Sequence, residues 1–472
     1  MSEVSVPPAE EATKSERNPW LWIPSLYFAE GIPNVIVVTV SVVMFKNMGV
    51  SNTLIGLYTS WLYLPWVIKP IWSPLVDLMK TKRWWIVAMQ LLIGAGLGGV
   101  ALSLPGDNFV RYSMLFLWLL AFSSATHDIA ADGFYMLGLS EHQQTWFVGI
   151  RSTFYRLAMI TGQGLLVILA GRLEKLFTEP STELLTFHIS ALGGGQSLSS
   201  LYFWFAQHHE GVAAAWSITL GVAAALFILI AFWHWLTLPK PKGDELRSST
   251  TLSQLYAGTL DTFGSFFRKK EIVSILAFLL LYRLAEAQLA KMASPFLLDK
   301  RSLGGLGLET DKVGIVYGTV GVTLLTLGGI LGGVVAANQG LKHWLWTMAL
   351  AINLPNVVYV VLAYTQPENL LLVNLAVAIE QFGYGFGFTA YMLFTLYIAK
   401  GEHETAHYAI GTGFMALGMM LPGMVSGWLQ TKLGYQHFFL WVMLCTIPSF
   451  AVCKLVKIDP NFGRREAAPG GE

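Results

Sequence analysis

Residues 272–297 read IVSILAFLLLYRLAEAQLAKMASPFL, a stretch dominated by leucine, alanine, isoleucine and phenylalanine. A helix needs roughly 20 mostly apolar residues to cross the ~30 Å hydrocarbon core of a bilayer. Three charged residues, Arg283, Glu286 and Lys291, lie inside the stretch, and each charge placed in hydrocarbon costs at least ~2.5–3.5 kcal/mol. The stretch therefore predicts a membrane-spanning helix whose charged side chains face a wet interior instead of lipid.

The composition of the whole chain agrees with a membrane protein. Of the 472 residues, 54% are hydrophobic and 12% are charged, and the mean hydropathy is +0.54. In soluble domains roughly a quarter of the residues are charged, so this composition excludes a soluble domain. The high apolar content also excludes disordered and collagen-like proteins. The net charge of +1 gives no reason to expect nucleic acid as a partner. Only two cysteines are present, which excludes a disulfide scaffold.

Similar apolar runs along the chain predict twelve spans. They cover 20–45, 54–74, 84–104, 112–137, 149–171, 212–236, 272–297, 313–337, 343–364, 369–398, 405–430 and 436–456. With an even number of spans both termini share a side, and the loops of that side hold about twice as many Lys and Arg residues as the other loops. The positive-inside rule then predicts that both termini are cytoplasmic.

Residues 237–271 divide the predicted spans into two sets of six. This linker begins with PKPKGDELRSSTT and continues with apolar residues at helical spacing, which predicts an amphipathic helix on the membrane surface. We expect a cytoplasmic tail at 1–19, a six-helix bundle at 20–236, the linker at 237–271, a second bundle at 272–456 and a cytoplasmic tail at 457–472. Two bundles around a site at the membrane midplane are typical of one large class of secondary transporters.

Apart from Lys454, which lies at the end of the last span, ten charged residues lie inside the predicted spans, and acids and bases balance. They are Glu30, Asp128, Asp132, Glu286 and Glu380, with Lys69, Arg151, Arg156, Arg283 and Lys291. Glu30, Arg283, Glu286 and Glu380 lie near the midplane, so we expect this group to contact substrate or a proton. Arg283 and Glu286 are three residues apart, on one face of a helix, and are expected to neutralise each other.

A second charged group lies nearer the predicted cytoplasmic surface. We predict a latch of Lys69, Asp77, Arg83 and Asp132 that holds this side closed. Asp128 and Asp132 are four residues apart, so two like charges share a helix face and invite a cationic partner. Arg151 is expected to extend its charge to the membrane surface.

Aromatic residues beside the charges suggest a sugar-binding surface. Tyr27, Tyr155, Tyr282 and Tyr384 lie within four residues of a charged position, although core packing explains each of them equally well. The pair His127–Asp128 leaves open a membrane-embedded acyltransferase. The spans contain no nucleophile–base set and no P-loop. His208 and His209 alone make a poor metal site. We therefore expect no enzyme activity, no metal and no cofactor.

Several motifs resemble those of AmpG-type permeases of the major facilitator superfamily. They are KPIWSPLVD at 69–77, SSATHDIAADGF at 123–134, YRLAMITGQGL at 155–165, FLLLYRLAEAQ at 278–288 and IEQFGYGFG at 379–387. The resemblance implies a twelve-span all-α fold and proton-driven import of muropeptides across the bacterial inner membrane. Charged family positions are matched by Lys69, Asp128, Asp132, Arg156, Arg283, Glu286 and Glu380.

Departures from the family's pattern fall among the expected cavity residues. Glu30 stands where the family has a small residue, Lys291 is an additional charge, and Tyr135 occupies a position that is usually lysine. The substrate is therefore expected to be a muropeptide or a related amino-sugar glycan. The alternatives are another anionic solute, such as an acyl-CoA-like compound, and the acyltransferase.

The mechanism that we predict is symport of this substrate with protons by a monomer in the inner membrane. Arg156, Arg283 and Lys291 would hold a carboxylate, since arginine forks match carboxylates. Glu30, Glu286, Glu380 or Asp128 would carry the proton. The partners expected are membrane lipid, the glycan and protons.

Overall fold

The computed structural model describes residues 17–178, 211–241, 244, 252–401 and 403–463. All regular elements in these ranges are helices. Ten of the helical stretches are long and apolar enough to cross a membrane: Pro19–Asn47, Lys82–Ser103, Phe109–Gly138, His142–Thr178, Gly211–Thr237, Ile272–Leu298, Thr310–Gln339, Leu341–Thr365, Leu370–Ala399 and Glu404–Leu455. Residues 179–210, which form most of the predicted external loop and include His208 and His209, lie outside the described ranges.

Two features account for the difference between ten stretches and twelve spans: one predicted span is divided into two short helices, and two predicted spans are joined in one stretch. The predicted second span is present as two shorter helices, Asn52–Trp61 and Leu64–Met79. The stretch Glu404–Leu455 leaves helical geometry at Gly434, where φ is 71° and ψ is 166°, values that glycine adopts readily. Gly434 lies between the predicted eleventh and twelfth spans. The all-α fold is confirmed, and the spans are numbered 1–12 in chain order below.

Span 7 is also broken, at the position of its first charged residue. It consists of helices Ile272–Leu281 and Leu284–Leu298, and Arg283 between them has φ −107° and ψ 17°. Irregular backbone inside a membrane is tolerated where protein or a water-lined space covers it. Broken helices of this kind form binding sites in secondary transporters, so the break marks where a site is expected.

The interface between spans 1–6 and spans 7–12 depends on close backbone approach. Span 2 packs on span 11, and span 5 packs on span 8. A Cβ atom added to Gly427 would lie 1.8 Å from the carbonyl oxygen of Asn52, and one added to Gly318 would lie 2.0 Å from that of Gln163. Small residues therefore allow the two sets of spans to meet.

A helix at Leu252–Phe267 connects the two sets of spans. It packs against span 2 and span 11, Ser265 Oγ lies 2.8 Å from His407 Nε2, and Phe266 is fully buried. Of the apolar residues of this helix, Leu260 and Phe267 are exposed. We call the end of the molecule that carries this helix the linker end, and the opposite end, where span 1 ends at Asn47, the far end. The domain boundaries remain predictions.

Candidate transport site

An ion pair that is buried from solvent lies at the break in span 7, and we call it the sealed pair. Arg283 Nη2 and Nε lie 2.8 and 3.0 Å from Glu286 Oε2, and the two side chains are only 7% and 3% exposed. Arg283 Nη2 also donates to the hydroxyl of Tyr384 at 2.8 Å. The spacing of three residues had predicted this contact, and the structure confirms it. A buried, hydrogen-bonded pair of this kind fixes the positions of both charges.

Aromatic rings from span 10 surround the Arg283 guanidinium. Its central carbon lies 4.7 Å from the ring centre of Phe388 and 5.4 Å from that of Tyr384. Tyr282 has a different role, because its hydroxyl donates to the carbonyl of Gly387 at 3.0 Å and its ring stacks on Phe278. Tyr384 therefore contacts the ion pair, whereas Tyr282 packs in the core, and a role of either tyrosine in substrate binding stays a prediction.

Two further charged residues of spans 7–12 lack a charged partner. Glu380 is buried and accepts a hydrogen bond from Gln381 Nε2 at 3.0 Å, and it lies within electrostatic range of Glu286. Lys291 donates to Thr59 Oγ1 of span 2 at 3.0 Å, and its ammonium lies 5.3 Å from the ring centre of Tyr63. No ion pair involves either residue within the described part of the chain. Lys291 thus links the two sets of spans with an uncompensated charge.

The charges of spans 1–6 form a separate acidic cluster of Glu30, Asp128 and Asp132, with two basic partners. Lys69 bonds to Asp128, and Arg151 Nη2 lies 2.7 Å from Asp132 Oδ1. One carboxylate oxygen from each acid lies within 4.8 Å of the others. The cluster is more open than the pair in span 7, since the side chain of Asp132 is 41% exposed.

Aromatic residues also flank this cluster. The Arg151 guanidinium lies 4.4 Å from the ring centre of Tyr27 and 5.0 Å from that of Tyr135. The Tyr27 hydroxyl donates to Asp132 Oδ1 at 3.5 Å. Arg151 therefore stacks on tyrosines and pairs with an aspartate, which replaces the expectation that it extends to the membrane surface.

Span 5 supplies the residues between the two charged regions. Arg156 Nη1 donates to the carbonyl of Thr326 in span 8 at 3.2 Å. Tyr155 lies within electrostatic range of Glu30 on one side and of Tyr384 on the other. Both residues thus lie at the interface of the two sets of spans.

The predicted latch is not assembled in this conformation. Lys69 bonds to Asp128 and not to Asp132, and Asp132 pairs with Arg151. Arg83 donates to the carbonyls of Leu238 and Trp235, which belong to the same set of spans. The side chain of Asp77 lies outside the described residues. Because a latch that closes this side would form only in a conformation closed there, the latch stays a prediction.

His127 is held in a buried polar chain. Its Nε2 lies 2.9 Å from Gln90 Nε2, Gln90 Oε1 lies 2.9 Å from His234 Nδ1, and His234 Nε2 lies 2.9 Å from Ser25 Oγ. These bonds connect spans 1, 3, 4 and 6. His127 makes no described hydrogen bond with Asp128, so the two do not form the dyad that an acyltransferase would need.

The far end is closed by polar contacts that the sequence did not indicate. Lys46 Nζ lies 2.6 Å from Asp299 Oδ1, and the Tyr435 hydroxyl donates to Asp299 Oδ2 at 2.6 Å. Asn52 Nδ2 donates to the Tyr435 hydroxyl at 2.9 Å and to Gln430 Oε1 at 2.7 Å. These residues come from spans 1, 2, 7, 11 and 12. The contacts therefore join the two sets of spans directly.

A second group of far-end contacts surrounds Glu174. The carboxylate accepts hydrogen bonds from Asn47 at 2.9 Å, Thr310 at 2.5 Å and Trp216 at 2.7 Å. Beside it, Glu309 accepts bonds from Lys175 and from Lys312, and these bonds lower the pKa of the Glu309 carboxyl. The sequence indicated these contacts only through polar residues at the span ends, and such residues are common without long-range partners.

Comparisons with known proteins support a transporter. The model of the BT1 family matches residues 30–225. The putative transporter AmpG 4 of Rickettsia conorii is 22% identical over 92% of this chain and 96% of its own length. The anhydromuropeptide permease of Escherichia coli K12 is 24% identical over 86% of this chain and 74% of its own.

Solved transporter structures share the fold. The nucleoside transporter NupG superposes with a TM-score of 0.65 at 16% identity, over 94% of this chain and all of its own. A D-xylose–proton symporter gives a TM-score of 0.59 at 13% identity, over 93% of this chain and 98% of its own. The chain is a multi-pass helical membrane protein with the major facilitator-type fold, and its resemblance to AmpG-type permeases is confirmed. That its named relatives are permeases and transporters agrees with the prediction that it is not an enzyme.

Proposed function

We propose that this protein is a proton symporter that imports muropeptides or related amino-sugar glycans across the bacterial cytoplasmic membrane, with both termini in the cytoplasm. The observation that carries the proposal is the sealed Arg283–Glu286 pair at the break in span 7. The similarity to an anhydromuropeptide permease supports the substrate class.

The Arg283–Glu286 pair links substrate and proton. When Glu286 takes up a proton, its negative charge is cancelled and Arg283 is left without a counter-ion. A substrate carboxylate can then take the place of Glu286 on the guanidinium, where arginine accepts a carboxylate through two bonds. Because an uncompensated buried charge is unfavourable, binding of the substrate and binding of the proton favour each other.

Other residues extend the site towards the glycan. Arg156 and Lys291 lie at the interface of the two sets of spans and provide positive charge for a peptide or lactyl carboxylate. Tyr384, Tyr155 and Tyr27 offer aromatic faces to sugar rings. Glu380, which has no basic partner among the described residues, is a second candidate for the proton.

The closed far end is one of the states of the proposed cycle. Substrate and proton then move the equilibrium between the two arrangements of the bundles by binding one of them more tightly. In the proposed cycle the far-end contacts of Asp299 and Glu174 break to admit substrate and form again before release.

The test is transport in proteoliposomes by the Glu286→Gln variant. A permanently neutral side chain should abolish accumulation driven by a proton gradient while exchange of substrate between the two sides continues. Glu368→Gln, in an exposed loop, is the matched control and should accumulate substrate normally. Accumulation by Glu286→Gln against a gradient would contradict the proposal.

A different anionic solute is the second candidate, because Lys291 adds a buried cation that has no acidic partner in the described ranges. Counterflow with anhydromuropeptide, chitobiose, simple amino sugars and acetyl-CoA as competitors separates the two. Competition by acetyl-CoA alone would favour an acyl-CoA-like substrate.

A further inference from the structure

The acidic cluster of Glu30, Asp128 and Asp132 contains more negative charge than its basic neighbours neutralise. Lys69 bonds to Asp128 and Arg151 pairs with Asp132. No described ion pair includes Glu30. Three carboxylates and two basic groups leave one negative charge, in a region where unpaired charges are costly.

Glu30 also has an unsatisfied atom. Its side chain is buried, with 9% of its surface exposed, and Oε2 has no hydrogen-bond donor in the described part of the chain. Buried carboxylate oxygens are normally hydrogen-bonded or bound to a cation. Because Glu30 shares its site with two other carboxylates, the missing partner is expected to be positive.

The spacing of the oxygens is compatible with one shared cation. One oxygen from each of Glu30, Asp128 and Asp132 lies within 4.8 Å of the other two. A cation such as Ca²⁺ binds oxygens at about 2.3–2.6 Å. Oxygens that bind one ion at this distance can lie up to about twice the bond length from one another.

The charge left over selects the kind of ion. One unpaired negative charge matches a monovalent cation, and Na⁺ is nearly the same size as Ca²⁺. We propose that Glu30, Asp128 and Asp132 bind one sodium ion, a role that goes beyond proton symport and does not depend on it. The Tyr27 hydroxyl, 3.5 Å from Asp132 Oδ1, is positioned to act as a neutral oxygen donor.

The surroundings permit exchange of the ion with solvent. The Asp132 side chain is 41% exposed and that of Asp128 is 20% exposed, while Glu30 closes the buried side. Tyr408 of span 11 lies within electrostatic range of Asp132 and Asp128. The site therefore lies at the interface of the two sets of spans, so a bound ion would influence how they meet.

The test is thermal unfolding of the purified full-length protein in detergent, in NaCl, KCl or choline chloride at equal ionic strength. A ligand that binds only the folded state raises Tm in a saturable manner. We expect a saturable rise in Tm that is specific to Na⁺. Glu30→Gln should lose that rise, whereas Glu368→Gln, in an exposed loop outside the cluster, should keep it.

Three outcomes would overturn the sodium site: equal Tm shifts for all three salts, no shift in any of them, or a Na⁺-specific shift that persists in Glu30→Gln. If Glu30→Gln does not fold, Glu30→Asp keeps the charge but shortens the reach, and half-maximal stabilisation should then require at least tenfold more Na⁺. An unchanged requirement in Glu30→Asp would also count against the proposal. Because this experiment measures no transport, its result does not test the proposed proton symport.

Discussion

The two charged regions of the interior differ in how they are sealed. In spans 7–12, Arg283 and Glu286 form a complete pair that is 7% and 3% exposed. In spans 1–6, Lys69 and Asp128 are 23% and 20% exposed, and Arg151 and Asp132 are 29% and 41% exposed. The same residue types therefore lie in a dry environment on one side of the interface and in a partly wet one on the other.

This difference separates two tasks. A sealed pair couples its two charges strongly, because removing either one leaves the other unpaired in a medium of low dielectric constant. A partly open cluster is screened by water and can exchange an ion or a proton with solvent. We infer that the pair in span 7 links substrate to its counter-ion, while the cluster around Glu30 communicates with the solution.

The largest effect is expected from breaking the sealed pair with Arg283→Met. Glu286 would be left as a buried charge without its partner, which typically destabilises a protein by about 3–5 kcal/mol. Unfolding in detergent should show a large fall in Tm, and uptake should be lost.

The double variant Arg283→Met/Glu286→Leu is the control for this effect. It removes both charges, so most of the lost stability should return while uptake stays absent. A single variant as stable as the parent would show that the pair is hydrated, and the contrast between the two regions would then disappear.

The sequence was sufficient for this pair because its two members are close in the chain. Arg283 and Glu286 are three residues apart, and Arg283 directly precedes the helix that contains Glu286, so the contact needs only local geometry although the break itself was not predicted. The twelve spans were likewise predicted from the lengths of the apolar runs. The break at Gly434 lies between the predicted eleventh and twelfth spans. Properties that depend on a single stretch of the chain were therefore predictable.

Contacts between helices were not predictable in the same way. The sequence did not indicate whether Lys69 would reach Asp128 or Asp132, and it bonds to Asp128, because the choice depends on the rotation of two spans. The bonds of Glu174 join residues from spans 1, 5, 6 and 8. Their positions depend on how all four helices pack, and no local pattern in the sequence records that packing.

A smaller effect is expected from Lys69→Met in the partly open cluster. Asp128 loses its partner, but because 20% of its side chain is exposed, water can partly solvate the remaining charge. Unfolding under the conditions used for Arg283→Met should therefore show a much smaller fall in Tm. A loss as large as that of Arg283→Met would mean that both regions are equally dry.

The smallest effect is expected from Arg151→Lys, which preserves charge and changes shape. Lysine can keep the ion pair with Asp132, but it lacks the planar group that stacks on Tyr27 and Tyr135 at 4.4 and 5.0 Å. Cation–π contacts at accessible sites contribute about 0.5–1 kcal/mol, so Tm should fall slightly. Arg151→Met in parallel removes the charge as well and should lower Tm further. Equal stability of the two variants would show that the ion pair contributes nothing and that stacking alone holds Arg151 in the cluster.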